Sequence, residues 1–373
     1  MPTRREFIKQ VSVAAGLGAG VMGLGLSPAR VLAASEGRWF MPDEGDKHER
    51  AYMAFGAQDA IWEDFTEDVQ EALGRIARAI ARYEPLTIYC RSSERNLAEE
   101  ICGMSNITYQ IANLDDIWMR DISANFVIDD KNGLGAVDFN FSGWGNKQQH
   151  SKDANIAKRV AADSQATYQR SELVGEGGGI EVDGHGTAIM TESCWINENR
   201  NPGWSKADVE AELKARLGLR KIIWLPGIKG KDITDAHVDF YARFVTPGVV
   251  IANLDTDPRS YDNKVTLAHL EILKKATDAD GRPLQTHTVS PPLKPRKTRF
   301  NKDNDDFAAG YINYFVINGA VIAPEFGDKD ADKKAFDLMK KLYPDRDVLQ
   351  INIDAIAAGG GGIHCVTSHQ PAA

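Results

Sequence analysis

A cysteine that directly follows a glycine run, as in Gly359-Gly360-Gly361-Gly362-Ile363-His364-Cys365, is placed for presentation. Glycines lack Cβ atoms, so ligand and backbone can approach closely, and successive N–H groups form a concave nest that favours an anion such as a thiolate. Cys365 is therefore the candidate nucleophile. Asp116-Ile117-Trp118-Met119-Arg120-Asp121 holds an aromatic ring, a guanidinium and two carboxylates within one short segment, with Trp118 and Asp121 spaced as neighbours on one turn. An aromatic face beside a carboxylate is a socket for a planar cation, although a salt bridge between Arg120 and an aspartate explains the same residues. In Thr234-Asp235-Ala236-His237-Val238-Asp239, an extended chain points His237 and Asp239 to the same side, as a cooperating acid/base and anchor require. A histidine satisfied by its neighbouring carboxylate is the structural alternative. Glu176-Gly177-Gly178-Gly179-Ile180 sets a carboxylate before a second glycine run, which a loop turn explains equally well.

The elements that position these groups repeat along the chain. A glycine, a short apolar strand and a polar residue recur at Gly135-Ala136-Val137-Asp138, Gly186-Thr187-Ala188-Ile189-Met190, Gly248-Val249-Val250-Ile251-Ala252-Asn253 and Gly319-Ala320-Val321-Ile322-Ala323. Amphipathic patterns between them predict helices over 66–82, 206–217, 266–276 and 330–342, the second capped by Ser205 with Asp208 three residues on. The alternation predicts an α/β fold of repeated small β-rich units, without distinguishing an open sheet from a propeller.

The 373 residues are 43% hydrophobic and 26% charged, within the globular range. The formal charge of −9 becomes −12 without residues 1–34, which argues against nucleic acid and favours a cationic ligand. Thr3-Arg4-Arg5-Glu6-Phe7-Ile8-Lys9, a glycine-rich apolar stretch and Ala33-Ala34 read as a twin-arginine leader over 1–34, cleaved to release a single domain over 35–373 in the periplasm. The apolar stretch is shorter than the roughly 20 residues of a membrane span, so no stable insertion is expected after cleavage. The cysteines, Cys90, Cys102, Cys194 and Cys365, show neither zinc-knuckle nor redox-pair spacing. Cys90 and Cys102 are expected as buried free thiols, with a disulfide between them as the alternative.

Taken in order, Asp116-Ile117-Trp118-Met119-Arg120-Asp121, Glu176-Gly177-Gly178-Gly179-Ile180, Asn197-Glu198-Asn199-Arg200-Asn201-Pro202, Thr234-Asp235-Ala236-His237-Val238-Asp239 and the Ile363-His364-Cys365 terminus resemble the agmatine deiminase / bacterial-type peptidylarginine deiminase family. The resemblance covers roughly Phe40 to Pro371. It implies the pentein architecture, a five-bladed pseudosymmetric α/β propeller. It also implies Cys365 as nucleophile, His237 as general acid/base, Asp121 and Asp239 as guanidinium-binding carboxylates, and Glu176 and Trp118 as further substrate-site residues. The implied reaction is deimination of a small guanidinium substrate with no cofactor or metal. A homo-oligomer is compatible with it.

Three positions depart from the family pattern: Gly362 where Asn usually precedes Ile-His-Cys, Ala236 where Gly usually precedes His, and Glu181 where His is common. Phe139-Asn140-Phe141-Ser142-Gly143-Trp144-Gly145-Asn146-Lys147 resembles the agmatine-type segment more than the arginine-containing one, although Lys147 is available for a substrate carboxylate. Agmatine is the favoured substrate and peptidyl-arginine the alternative. A non-catalytic periplasmic binder of guanidinium or polyamine ligands has no use for His364-Cys365, and a zinc hydrolase built on His237, Asp239 and His364 lacks HExxH or paired-Cys spacing. Residues 290–306, rich in proline and basic residues, are expected to form a surface loop shaping access to the site.

Overall fold

Each glycine-led apolar run becomes the middle strand of a small mixed sheet. Strands Leu134–Asp138, Thr187–Thr191, Val249–Asn253 and Ala320–Glu325 each pair antiparallel with the strand before and parallel with the strand after. The glycines turn the chain: Gly248 and Gly319 have φ of +82° and +78°, a region that glycine enters without the strain a Cβ brings. Val250, Ile251 and Ala252, like Val321, Ile322 and Ala323, are fully buried, so these strands read as continuous apolar runs rather than alternating ones.

The parallel partner of each middle strand needs a crossover, and a helix supplies it. These helices are Ile156–Asp163, Lys206–Leu217, Asn263–Lys275 and Lys329–Leu342, with Thr66–Ala81 serving the first sheet. Ser205 and Asp208 form the expected capping box. The 263–275 helix starts ahead of the expected Thr266, because that hydroxyl is inside the first turn, donating to the Asp262 carbonyl at 2.9 Å.

The computed structural model describes residues 38–373, so the leader expected at 1–34 lies outside the described residues. Five sheets are present among the described residues, and the first is closed by the last strand. His48–Phe55 pairs in parallel with Leu86–Cys90 but antiparallel with the C-terminal Thr367–Pro371, with Met53 opposite Thr367 and Ala51 opposite His369. The chain is thus a ring of five blades, a five-fold pseudosymmetric α/β propeller. Cys90 and Cys102, like the other two cysteines, are free and buried. Burial pushes the Cys102 thiol up to about 12, which makes it inert.

Candidate active site

The segment leading into each blade's first strand supplies a side chain to one buried cluster. Asp121 lies in the turn Met119–Ile122 ahead of Asn125–Ile128, and Glu176 and Gly178 lie just ahead of Glu181–Val182. His237 and Asp239 precede Ala242–Thr246, Asn313 precedes Phe315–Ile317, and Cys365 precedes the closing strand Thr367–Pro371. All of these side chains are buried.

Gly178 is where they meet. A Cβ built on it would lie 2.6 Å from His237 Nδ1, 2.9 Å from Asp121 Oδ1 and 3.2 Å from Asp239 Oδ2. Its own N–H donates to Asp121 Oδ1 at 2.9 Å, and Trp144 Nε1 donates to Asp121 Oδ2 at 2.8 Å. Trp144 is held at φ +57°, an uncommon conformation for a bulky residue, in the service of that bond. Cys365 Sγ stands 3.6 Å from Asp239 Oδ2, and Asp239 Oδ1 is buried with no hydrogen-bond partner.

His237 and Asp239 face the same centre, but not because the chain is extended there. His237 has φ −55° and ψ 140°, and Val238–Phe240 then forms a short 3-10 turn. Asp235 and Ala236 before it both have positive φ, +61° and +69°. The Asp235 carboxylate fixes this bend by accepting from Gly230 N–H at 2.8 Å, Lys147 Nζ at 2.6 Å, Asn199 Nδ2 at 3.0 Å and Arg200 Nη1 at 2.8 Å. Lys147, offered above as a partner for a substrate carboxylate, is thus committed to Asp235 and to the Ile233 carbonyl.

Glu176 is held by protein groups. Arg200 Nε lies 2.9 Å from both of its oxygens, and His237 Nε2 lies 3.0 Å from Oε2. Burial alone would raise Glu176, but Arg200 and His237 outweigh it and bring the carboxyl down to about 2. Burial would likewise lower the His237 imidazole, yet Asp121, Cys194 and Glu176 hold it well above the ordinary histidine value. These neighbours favour the protonated form of the ring. Burial pushes Asp121 up, with Glu176 and Asp239 adding to the effect and His237 opposing it.

Burial pushes the Cys365 thiol well up, reinforced by the carboxylates of Asp239 and Asp121, while a backbone bond at Gly362 pulls the other way. The glycine nest expected from the sequence is reduced to that one bond, since Gly359 and Gly360 donate to the Ile356 and Ala357 carbonyls at 3.0 Å, and it is outweighed. Gly361 and Gly362 serve close packing instead. A Cβ on Gly361 would fall 2.1 Å from Trp118, and one on Gly362 would fall 2.4 Å from Asn313 Oδ1. Trp118 lies beneath the loop that carries Cys365, with its Nε1 donating to Asp116 Oδ2 at 2.8 Å. Asn313 accepts from Cys365 N–H at 3.3 Å through Oδ1 and fills the space beside Gly362, the position where the family pattern carries Asn.

The chain matches the model of the Porphyromonas-type peptidyl-arginine deiminase family over residues 40–371. It belongs to that family. An agmatine deiminase of Pseudomonas aeruginosa (strain LESB58) is 34% identical over 352 residues, covering 89% of this chain and 95% of that protein. A relative from Streptomyces coelicolor is 40% identical over 340 residues, covering 89% of this chain and 98% of that protein. The solved agmatine deiminase of Enterococcus faecalis superposes with a TM-score of 0.85 at 29% identity, over 90% of this chain and 96% of that one. The family membership makes the chain a hydrolase acting on C–N bonds of amidines.

Arg200, Trp144, Asn313 and Glu44 are site residues that sequence reasoning assigned no role. Arg200 had a signal in the Asn197-Glu198-Asn199-Arg200-Asn201-Pro202 motif, whereas Glu44, among the acidic residues Asp43 to Asp46, had none. Of the zinc alternative's residues, His364 Nδ1 meets Asp239 Oδ2 at 2.8 Å, but the three do not form a ligand grouping. Among the described residues the three-ligand grouping is Glu176, Cys194 and His237, and a cation there would face the Arg200 guanidinium. In the 290–306 segment, Arg296 pairs with Glu325 at 2.7 Å and Asp354 at 2.9 Å, and Arg299 pairs with Asp68, so two of its basic groups clamp the loop. Asn304 Nδ2 then donates to the Ala358 carbonyl at 3.1 Å, next to the glycine run that leads to Cys365.

Proposed function

We propose that the chain deiminates agmatine to N-carbamoylputrescine and ammonia, with Cys365 as nucleophile, His237 as general acid/base, and Asp121 and Asp239 as the guanidinium's partners. The observation that carries this reading is the Asp239 carboxylate, whose Oδ2 stands 3.6 Å from the Cys365 sulfur and whose buried Oδ1 has no partner, with Asp121 across Gly178. A buried acceptor without a donor is costly, and a guanidinium N–H repays it.

The cation does more than fit. Placed between Asp121 and Asp239, it offsets the two charges that oppose thiolate formation, so the Cys365 proton passes to solvent when substrate arrives. The thiolate adds to the central guanidinium carbon, and the imidazolium of His237 protonates the departing nitrogen as ammonia. The resulting thiouronium is attacked by water, one of whose protons His237 now takes, and collapse of the adduct forms the ureido C=O while the remaining hydroxyl proton goes to the departing sulfur, restoring the Cys365 thiol. Glu176, held by Arg200, orients the His237 ring and stabilises its positive charge. Trp118 supports the nucleophile loop through Gly361.

The names of the relatives above support agmatine as substrate, and the commitment of Lys147 to Asp235 leaves it unavailable to a substrate carboxylate. The test is a ureido-product assay on agmatine, free arginine and a peptide ending in arginine, with Cys365→Ser as control. Turnover is expected on agmatine first, none is expected from the variant, and a slow substrate should leave a covalent adduct on Cys365 alone. Product from the serine variant, or preference for the peptide, overturns the assignment. We also propose, from Thr3-Arg4-Arg5 and Ala33-Ala34, that the enzyme is exported to the periplasm. Cell fractionation of the wild type and of Arg4→Lys/Arg5→Lys decides it, since equal distribution of the two would remove the leader assignment.

A further inference from the structure

Glu44 lies ahead of the first blade and is nearly buried, yet four donors converge on its carboxylate. Oε2 faces Arg120 Nη2 at 2.6 Å and His364 Nε2 at 2.9 Å; Oε1 faces Arg243 Nη2 at 2.7 Å and Val316 N–H at 3.0 Å. These donors come from the approach to the second blade, from the nucleophile loop, and from the fourth and fifth blades. A hub of this kind needs no role beyond stability.

His364 extends it to the site. Its ring is held between two carboxylates, with Nδ1 2.8 Å from Asp239 Oδ2 and Nε2 2.9 Å from Glu44 Oε2. Ionised carboxylates only accept, so with both ionised each ring nitrogen donates. Asp239 Oδ2 is thereby engaged, and the other oxygen, Oδ1, is the one left without a partner. Burial would raise Asp239, but His364 first and then His237 and Arg243 bring it below the ordinary carboxylate value. Burial would raise Glu44 too, and Arg243, His364 and Arg120 bring it well below.

We propose that Glu44 and His364 are positioning residues for the deimination: Glu44 fixes the His364 ring, His364 fixes Asp239 through Oδ2, and Oδ1 is thereby aimed at the guanidinium. The inference rests on the functional reading above, in which Asp239 binds the cation. Neither Glu44 nor His364 touches the reacting atoms. Their contribution passes through one carboxylate, which separates them from residues that merely stabilise the propeller.

The test is steady-state kinetics on agmatine with the full chain, alongside circular dichroism and thermal melts. Glu44→Gln keeps the shape but removes the charge that orients His364, and KM should rise about tenfold while the folded fraction stays unchanged. His364→Asn keeps a donor near the Nδ1 position, and His364→Gln keeps one near Nε2. The asparagine variant should therefore retain about tenfold more kcat/KM than the glutamine variant. Combining Glu44→Gln with His364→Gln should cost no more than His364→Gln alone, because the link is already broken. Normal KM in Glu44→Gln, equal losses in the two His364 variants, or additive losses in the double variant would overturn the proposal while wild-type turnover leaves the deiminase reading standing. If Glu44→Gln does not fold, the His364 pair carries the test alone. A wild type inactive on every guanidine would remove the deiminase reading, and this proposal with it.

Discussion

Replacing Asp239 by asparagine should make Cys365 more reactive toward a neutral electrophile and less active toward substrate. The carboxylate stands 3.6 Å from the sulfur, in a buried site where Asp239 is 0% and Cys365 8% exposed. At an effective dielectric of about 20, a thiolate and a carboxylate at that distance repel by about 4 to 5 kcal/mol. The His364 imidazole, 2.8 Å from the same oxygen, offsets part of this. If half survives, removing the charge raises the thiolate population at a given pH by about 50-fold. Alkylation by iodoacetamide reads that population directly, and following Cys365 by mass spectrometry separates it from the three other buried thiols. The expected result is an alkylation rate up by at least about tenfold, less than the full 50-fold because a less basic thiolate is a weaker nucleophile. In the same variant kcat/KM on agmatine should fall by more than about 30-fold, since losing a charge-assisted pair in a dry site costs roughly 2 to 5 kcal/mol. An alkylation rate unchanged or lower, with the fold intact, would refute the claim that the carboxylates hold the thiol protonated until the cation arrives.

Gly178→Ala should fold yet lose about 100-fold or more in kcat, because its Cβ would stand 2.6 Å from His237 Nδ1 and 2.9 Å from Asp121 Oδ1, and shifts of about 1 Å at reacting groups cost that much; a normal kcat would mean the three groups do not converge there. Ala236→Gly should raise stability by about 1 kcal/mol, since Ala236 sits at φ +69°, and a lower Tm in the variant would show the bend is not strained. Glu176 has a folded pKa of about 2 against an ordinary value of 4.5, so its stabilising contribution is complete above about pH 4.5 and is lost as pH falls through about 2. Arg200→Met removes its main partner and should cost about 3 to 5 kcal/mol at pH 7, a deficit that narrows as pH drops toward 2 in urea-unfolding series; a deficit constant with pH would place the loss elsewhere.

The repeated glycine-led strands and their crossover helices were legible because each carries a local signal: apolar runs, a capping box, a turn glycine. The first blade was not, since its partner strand is at the far end of the chain and no local pattern joins Met53 to Thr367. Within the site, Cys365, His237, Asp239, Asp121 and Glu176 do come together, each marked by an unusual neighbour such as a glycine run or a paired carboxylate. The shared facing of His237 and Asp239 was anticipated from an extended backbone, whereas a bend and a 3-10 turn produce it. What stayed hidden is what acts through others. Glu44, Arg200 and Asn313 gain meaning only from partners tens to hundreds of residues away, and a lone polar side chain in sequence does not reveal whether its partner is water or a buried ion.

The closing strand makes the site depend on a single pairing between distant parts of the chain. Asp121, Glu176, His237 and Asp239 belong to the approaches of the second, third and fourth blades, while the thiol is carried two residues ahead of the strand that seals the ring. That strand is held by its antiparallel pairing with His48–Phe55, so peeling Thr367–Pro371 away would withdraw the Cys365 sulfur from all four of those side chains at once.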